Sequence, residues 1–199
     1  MRQSRGRFFL GLGETTPKEP LKLTRTVVLV GMMGAGKTAI GRALAARLNV
    51  AFEDSDAEIV AASKLAISEI FERYGEEFFR EKEGQIIDRL LDGPPCVLST
   101  GGGAWLSAEN RRMIGARAAS VWLKADLDVL WARVRHKDTR PLLRTPDPYA
   151  TLTALLDARG PAYAQAEFVV HAQANWSIDQ TTDAVMNRLL QAGVLEAKT

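Results

Sequence analysis

Residues Gly31 to Thr38 read GMMGAGKT and satisfy the pattern G-x-x-x-x-G-K-[ST] in full. Glycines at this spacing let successive backbone N–H groups curl around phosphate oxygens, while a helix starting at the lysine adds its positive end. Lys37 can then reach the β- and γ-phosphates, and the Thr38 hydroxyl can ligate Mg²⁺. A chance glycine turn is the bland alternative, but the flanks weigh against it. The β-branched run TVVLV (26–30) precedes the glycines, and KTAIGRALAARL (37–48) reads as the helix that follows. The segment is a site for a nucleoside triphosphate.

A pair of carboxylates comes next, in FEDSDAEI. Asp54 and Asp56 are two residues apart and would project to the same side of an extended segment. Beside the first strand, one carboxylate could serve the metal shell while the other takes a proton from an attacking hydroxyl. The third strand ends in VLST without an acid, which makes Asp54 the best candidate for the vacant metal-side position. Helix N-capping by Asp54, Ser55 or Asp56 is the alternative, and both readings can hold together. No N-K-x-D motif occurs, which argues against a guanine-nucleotide switch.

Three consecutive glycines, Gly101 to Gly103, follow that third strand, at a point where bare backbone must be needed. The phosphate-cradle role is already filled by Gly31 to Thr38, so the triplet reads as a side-chain-free wall for an acceptor; a flexible turn would require only one glycine. Arg80 lies one step off an apolar helical stripe with Glu83 at i+3, close enough to orient the guanidinium, although an exposed helical ion pair would look the same. RVRHKDTRPLLRTPDP (133–148) reads as a mobile lid carrying Arg140. Arg159 precedes the last strand, and arginines beyond those that ATP requires suggest an anionic acceptor.

These residues must be positioned by an alternating pattern. Strand candidates at 26–30, 50–54, 96–99, 119–123 and 167–170 are separated by helical stretches, with a segment containing Ile67, Ile70, Phe71 and Tyr74, a helix over about 76–91, and another after Ile178. Strands alternating with helices imply an α/β fold whose parallel sheet is covered on both faces, with ligands beyond the carboxyl ends of the strands. Residues 1–23 read as a flexible arm with Arg2, Arg5 and Arg7, a transit peptide being the alternative, and residues 24–199 as one domain with its lid at about 135–148. Twenty-six Lys and Arg against 24 Asp and Glu leave a net charge of +2, spread along the chain, which argues against nucleic-acid binding. The single cysteine, Cys96, lies in an apolar run and reads as a buried structural thiol. No apolar run reaches the ~18 residues of a membrane helix. Trp105, Trp122, Trp131 and Trp176 read as packing residues; with only two histidines, His136 in the lid and His171 just after the last strand, the sequence argues against a histidine metal site.

Taken together, GMMGAGKT, the DSD pair, ISEIFERYGEEFFREKE, STGGGA, TRPLL and ARGPAYAQA, in this order, resemble the shikimate kinase family over about residues 26–192. The resemblance implies a three-layer P-loop kinase fold with five parallel strands in the order 2-3-1-4-5. It implies phosphorylation of the 3-hydroxyl of shikimate by ATP with Mg²⁺, in aromatic amino-acid biosynthesis, by a cytoplasmic monomer. It places Gly34, Ala35, Gly36, Lys37, Thr38 and Ala39 around the nucleotide phosphates, Arg133 along the adenine, and Thr38 and Asp54 at the metal. Asp56 becomes the shikimate-binding proton acceptor, Arg80 and Arg159 the carboxylate clamp, and Gly101, Gly102 and Gly103 the backbone wall. Lys37 and Arg140 join Asp56 as catalytic residues, Arg140 contacting both ATP and substrate. Three features depart from the family pattern: Lys64, where glycine is frequent, Ala66, where Ser or Thr is frequent, and GPAYAQAE, which lacks the charged residues often seen after the tyrosine. A gluconate-type small-molecule kinase and a non-catalytic nucleotide-dependent module are the competing readings.

Overall fold

Val27–Val30 (β2) is four β-branched or aliphatic residues buried on both faces, the signature of a central strand in a covered parallel sheet. The computed structural model describes residues 21–136 and 141–198. Around β2 lie β3 (Phe52–Asp54), β4 (Val97–Ser99), β5 (Ala119–Lys124) and β6 (Phe168–His171), all parallel and in the order β3-β4-β2-β5-β6. Numbered within this sheet alone, the order is the expected 2-3-1-4-5. Val27 is in register with Val97 on one side and Ala119 on the other, which brings the carboxyl ends of β2, β3 and β4 to one edge.

Helices α1 (Lys37–Leu48), α4 (Ala108–Arg117), α5 (Leu127–Val134), α6 (Pro148–Tyr163) and α7 (Ile178–Gln191) connect or follow these strands. Their apolar faces join the strands in one continuous core that includes Leu44, Leu98, Ile114, Val121, Leu130, Leu152 and Leu189. Cys96 is buried in the same core, as its apolar setting suggested. No helix among the described residues is long and apolar enough to cross a membrane.

A second, smaller core holds α2 (Ser55–Ser63) against α3 (Ile67–Leu91), through Ile59, Ile70 and Phe79 with Leu65, Ile67, Phe71 and Ile86 around them. The two expected helical segments on either side of Gly75 form α3, which is continuous except at that residue. Gly75 adopts φ 81°, ψ 173°, a region that essentially only glycine enters, and the helix breaks there. This small core is what carries Asp56, Arg80 and Glu83 to the sheet edge.

The N-terminal boundary needs correction. Residues 1–23 were expected to be an arm, but Leu21–Leu23 is a strand, β1, paired antiparallel with β7 (Leu195–Ala197). Leu23 is 3% exposed and belongs to the main core, so the alternating L-K-L buries one face against the C-terminal strand. Neither of these three-residue strands carries a pattern long enough to stand out in the sequence. Residues 1–20 lie outside the described residues.

The departures at Lys64 and Ala66 have local explanations. Lys64 closes α2 with φ 57°, the left-handed conformation in which glycine is favoured. Ala66 is the N-cap of α3, where its methyl group accepts no hydrogen bond; Glu69 Oε2 still accepts from the Ala66 N–H at 2.8 Å. Half of a capping box is therefore built. Replacing Ala66 by Ser supplies the missing acceptor, and urea unfolding should show a gain of about 1 kcal/mol; an unchanged midpoint would mean that this helix end is already satisfied.

Candidate active site

The phosphate loop joins β2 to α1 through three glycines in the left-handed region, Gly31 (φ 137°), Gly34 (φ 82°) and Gly36 (φ 97°). A β-carbon on Gly31 would also lie 2.8 Å from the Leu123 carbonyl oxygen, so position 31 excludes other residues on two counts. Lys37 Nζ bridges the loop, donating to the carbonyls of Gly31 (2.7 Å) and Met32 (3.1 Å). From α5, Arg133 Nη1 donates to the carbonyls of Gly34 (3.2 Å) and Ala35 (3.5 Å), fastening that helix to the loop.

Asp54 divides its two oxygens between the two tasks considered for it. Oδ1 caps α2, accepting from the N–H groups of Asp56 (3.1 Å) and Ala57 (3.4 Å), while Oδ2 accepts from Thr38 Oγ1 at 3.4 Å. The expectation that Asp54 and Asp56 share one side of an extended segment is corrected here. Asp54 ends β3, and Asp56 lies in the first turn of α2. It is the cap, not strand alternation, that keeps both carboxylates on one cavity. That cavity, of about 480 Å³, is lined among others by Gly34, Lys37, Thr38, Asp54, Asp56, Gly101, Gly102 and Arg133.

None of the glycines 101 to 103 has a positive φ, so these glycines are not there for an unusual turn. They are there because side chains crowd the backbone. A β-carbon on Gly101 would lie 2.6 Å from Asp56 Oδ1 and 2.9 Å from Glu83 Oε1; one on Gly103 would lie 2.6 Å from Arg80 Nη1. Gly102 differs, since its β-carbon would meet nothing closer than Arg159 Nη1 at 3.7 Å. The triplet's carbonyls are all satisfied, by Ala104 N–H (Gly101), the Tyr163 hydroxyl at 2.6 Å (Gly102) and Leu106 N–H (Gly103). The Gly101 N–H donates to Ser55 Oγ, whereas the N–H groups of Gly102 and Gly103 have no protein acceptor among the described residues. Two adjacent backbone donors, with Arg80 near one and Arg159 near the other, form a seat for an anion.

Arg80 is fixed on both sides. It donates to Glu83 Oε2 (2.8 Å) and Glu76 Oε1 (3.2 Å), and its guanidinium lies 5.2 Å from the centre of the Phe79 ring. The exposed-ion-pair alternative fails because Glu83 is 0% exposed. Burial pushes the Glu83 carboxyl up to about 7 despite the opposing pull of Arg80, with the Asp56 charge adding to the rise. Glu83 Oε1 has no hydrogen-bond partner among the described residues and faces the Gly101 position that Asp56 also approaches.

Arg140 lies outside the described residues. Of the segment expected to be a lid at 135–148, the later part is anchored: Leu143 is buried in the main core, and Asp147 caps α6 by accepting from the Ala150 N–H at 2.9 Å. Trp105 and Trp122 are core residues and Trp131 packs against the core, but Trp176 lines the cavity with Ser177 and Ile178. The signal was available, because these residues follow the last sheet strand at its carboxyl end. Tyr163 was also missed as a site residue; nothing in its spacing points to Gly102, 61 positions earlier. Among the described residues, no three His, Cys, Asp or Glu side chains cluster as a metal site.

A glycine-rich phosphate loop, a carboxylate pair beside it and a separate anion seat on a parallel sheet define a P-loop phosphotransferase for a small acceptor. A family model for shikimate kinase matches residues 33–192. The chain is 64% identical over 167 residues to the shikimate kinase of Ruegeria pomeroyi, covering 84% of this chain and 86% of that one. It is 66% identical over 151 residues to that of Cereibacter sphaeroides, covering 76% of each. Among solved structures, shikimate kinase from Acinetobacter baumannii in complex with shikimate superposes with a TM-score of 0.80 at 34% identity, covering 84% of this chain and 94% of that one. The chain belongs to the shikimate kinase family.

The Glu83 carboxyl gives a pH prediction. Its folded pKa of about 7 stands above the ordinary 4.5, so the folded protein holds an extra proton between these values. That contribution to stability is full below about 4.5 and is lost as pH rises through about 7. Urea unfolding from pH ~5 to ~8 should show Glu83→Gln losing less stability over this range than the parent protein; parallel profiles would mean that Glu83 is ionised throughout.

Proposed function

We propose that this chain transfers the γ-phosphoryl group of ATP to the 3-hydroxyl of shikimate, giving shikimate 3-phosphate and ADP. The observation that carries this reading is the pair of N–H groups at Gly102 and Gly103 with no protein acceptor among the described residues, set between Arg80 and Arg159 where Gly102 lines the phosphate-loop cavity. A carboxylate on a small acceptor would meet two guanidinium forks and two backbone donors there. Its hydroxyl would then lie toward Asp56 and the nucleotide.

In this reading the hydroxyl oxygen forms its bond to the γ-phosphorus as the bond to the β,γ-bridging oxygen breaks. Asp56 accepts the hydroxyl proton, and Lys37 neutralises charge on the phosphates. Catalysis is mostly positioning and charge neutralisation, with Arg133 and Trp176 bounding the nucleotide end of the cavity. Thr38 Oγ1 and Asp54 Oδ2 are hard oxygen donors 3.4 Å apart, and together with phosphate oxygens they suit Mg²⁺, which needs few protein ligands. Held by Thr38 and Asp54, Mg²⁺ would supply positive charge that neutralises the phosphates. Arg140 is assigned to the transferring group from its place in TRPLL. The enzyme would serve aromatic amino-acid biosynthesis as a cytoplasmic monomer, without nucleic-acid or membrane partners.

ADP release measured with shikimate, with gluconate and with no acceptor tests the assignment. Release should require shikimate, and Asp56→Asn should cut turnover at least ~100-fold with ATP binding kept. Equal rates with gluconate would replace the substrate assignment, and near-normal turnover in the Asn variant would remove the proton-acceptor role. Gly102→Ala tests the wall separately, because its methyl group meets no protein atom closer than 3.7 Å. The KM for shikimate should rise with ATP binding kept; an unchanged KM would place the acceptor elsewhere.

A further inference from the structure

We propose that Tyr163 is a positioning residue for the acceptor seat, its hydroxyl fixing the plane of the Gly102–Gly103 peptide without touching the substrate. The proposal rests on the reading that Gly102, Gly103 and Arg159 hold the acceptor. Tyr163 is fully buried at the end of α6, and its hydroxyl donates to the Gly102 carbonyl at 2.6 Å. The peptide unit is planar and trans, so the Gly102 carbonyl and the Gly103 N–H point in opposite directions. Holding the carbonyl toward Tyr163 therefore aims the Gly103 N–H away from it, where that donor has no protein acceptor among the described residues.

A second contact supports the same role. Arg159, one helical turn earlier on α6, reaches the same peptide: its Nη1 and the Tyr163 hydroxyl lie 3.7 and 3.8 Å from where a β-carbon on Gly102 would sit. Burial pushes the phenol up, which keeps its single proton available for the Gly102 carbonyl. Met32 Sδ of the phosphate loop is 3.9 Å from the same oxygen. One hydroxyl thus ties the glycine wall to the arginine clamp, beside the loop that holds the donor. The ring has its own anchor, stacked at 6.0 Å on Trp122. Removing the oxygen leaves that packing in place.

The test is Tyr163→Phe, with Arg159→Ala and the double variant measured alongside. Tyr163→Phe should raise the KM for shikimate by about tenfold, leave the KM for ATP within about twofold, and change the melting temperature little. The double variant should raise the shikimate KM by less than the product of the single effects, because both act through one contact. If Arg159→Ala leaves the shikimate KM unmoved, the seat itself is misassigned and the Tyr163 role falls with it. If Arg159→Ala raises it and Tyr163→Phe does not, or if Tyr163→Phe only lowers the melting temperature, the seat stands and the positioning role is overturned.

Discussion

Three side chains converge on backbone that has none. Asp56 and Glu83 come within 2.6 and 2.9 Å of where a β-carbon on Gly101 would sit, and Arg80 comes equally close to the corresponding point on Gly103. The proposed acceptor seat depends on this approach. Charged groups from α2 and α3 can flank the carboxyl end of β4 only if the connecting strand-to-helix turn is stripped to its backbone. The backbone then contributes two hydrogen-bond donors of its own. A wider turn with side chains would push Asp56 away from Thr38 and Lys37, separating the proposed proton acceptor from the phosphates.

The electrostatics follow from the same crowding. Glu83 is buried to hold Arg80, and burial of a carboxyl is costly unless it is paired. Arg80 satisfies one oxygen, while the other has no partner among the described residues; burial, with the Asp56 charge adding to it, outweighs Arg80 and pushes the Glu83 carboxyl up to about 7. The arginine in turn is held by two glutamates and two aromatic rings, so its guanidinium is oriented before any ligand arrives. Preorganisation of this kind lowers the ordering cost of binding an anion.

Much of this was legible in the sequence because it depends on local pattern. The phosphate loop is a contiguous motif with the correct strand and helix on either side, and the alternation of strands and helices was enough to specify a parallel sheet. The resemblance of the remaining motifs supplied the strand order, which periodicity alone does not contain. Less legible were the features set by distant partners. The short pairing of Leu21–Leu23 with Leu195–Ala197 joins segments far apart in the sequence and has no local signal. Trp176 reads like any packing tryptophan, although its place just beyond the carboxyl end of β6 already put it at the crevice where it lines the phosphate-loop cavity. Asp54 and Asp56 were paired correctly but for a different geometric reason, since a helix cap intervenes where an extended strand was expected.

The sequence by itself determined the chemistry on offer: a phosphate loop, two carboxylates beside it, a run of bare backbone and arginines in excess of those a nucleotide needs. Each of these is a property of residue type and near spacing, which the chain carries before it folds. Tertiary structure alone decided why the bare backbone is needed and who holds it. Those answers lie in contacts between residues tens of positions apart, Gly101 with Asp56 and Glu83, Gly103 with Arg80, and Gly102 with Tyr163. Such contacts exist only once the sheet has fixed where each helix returns.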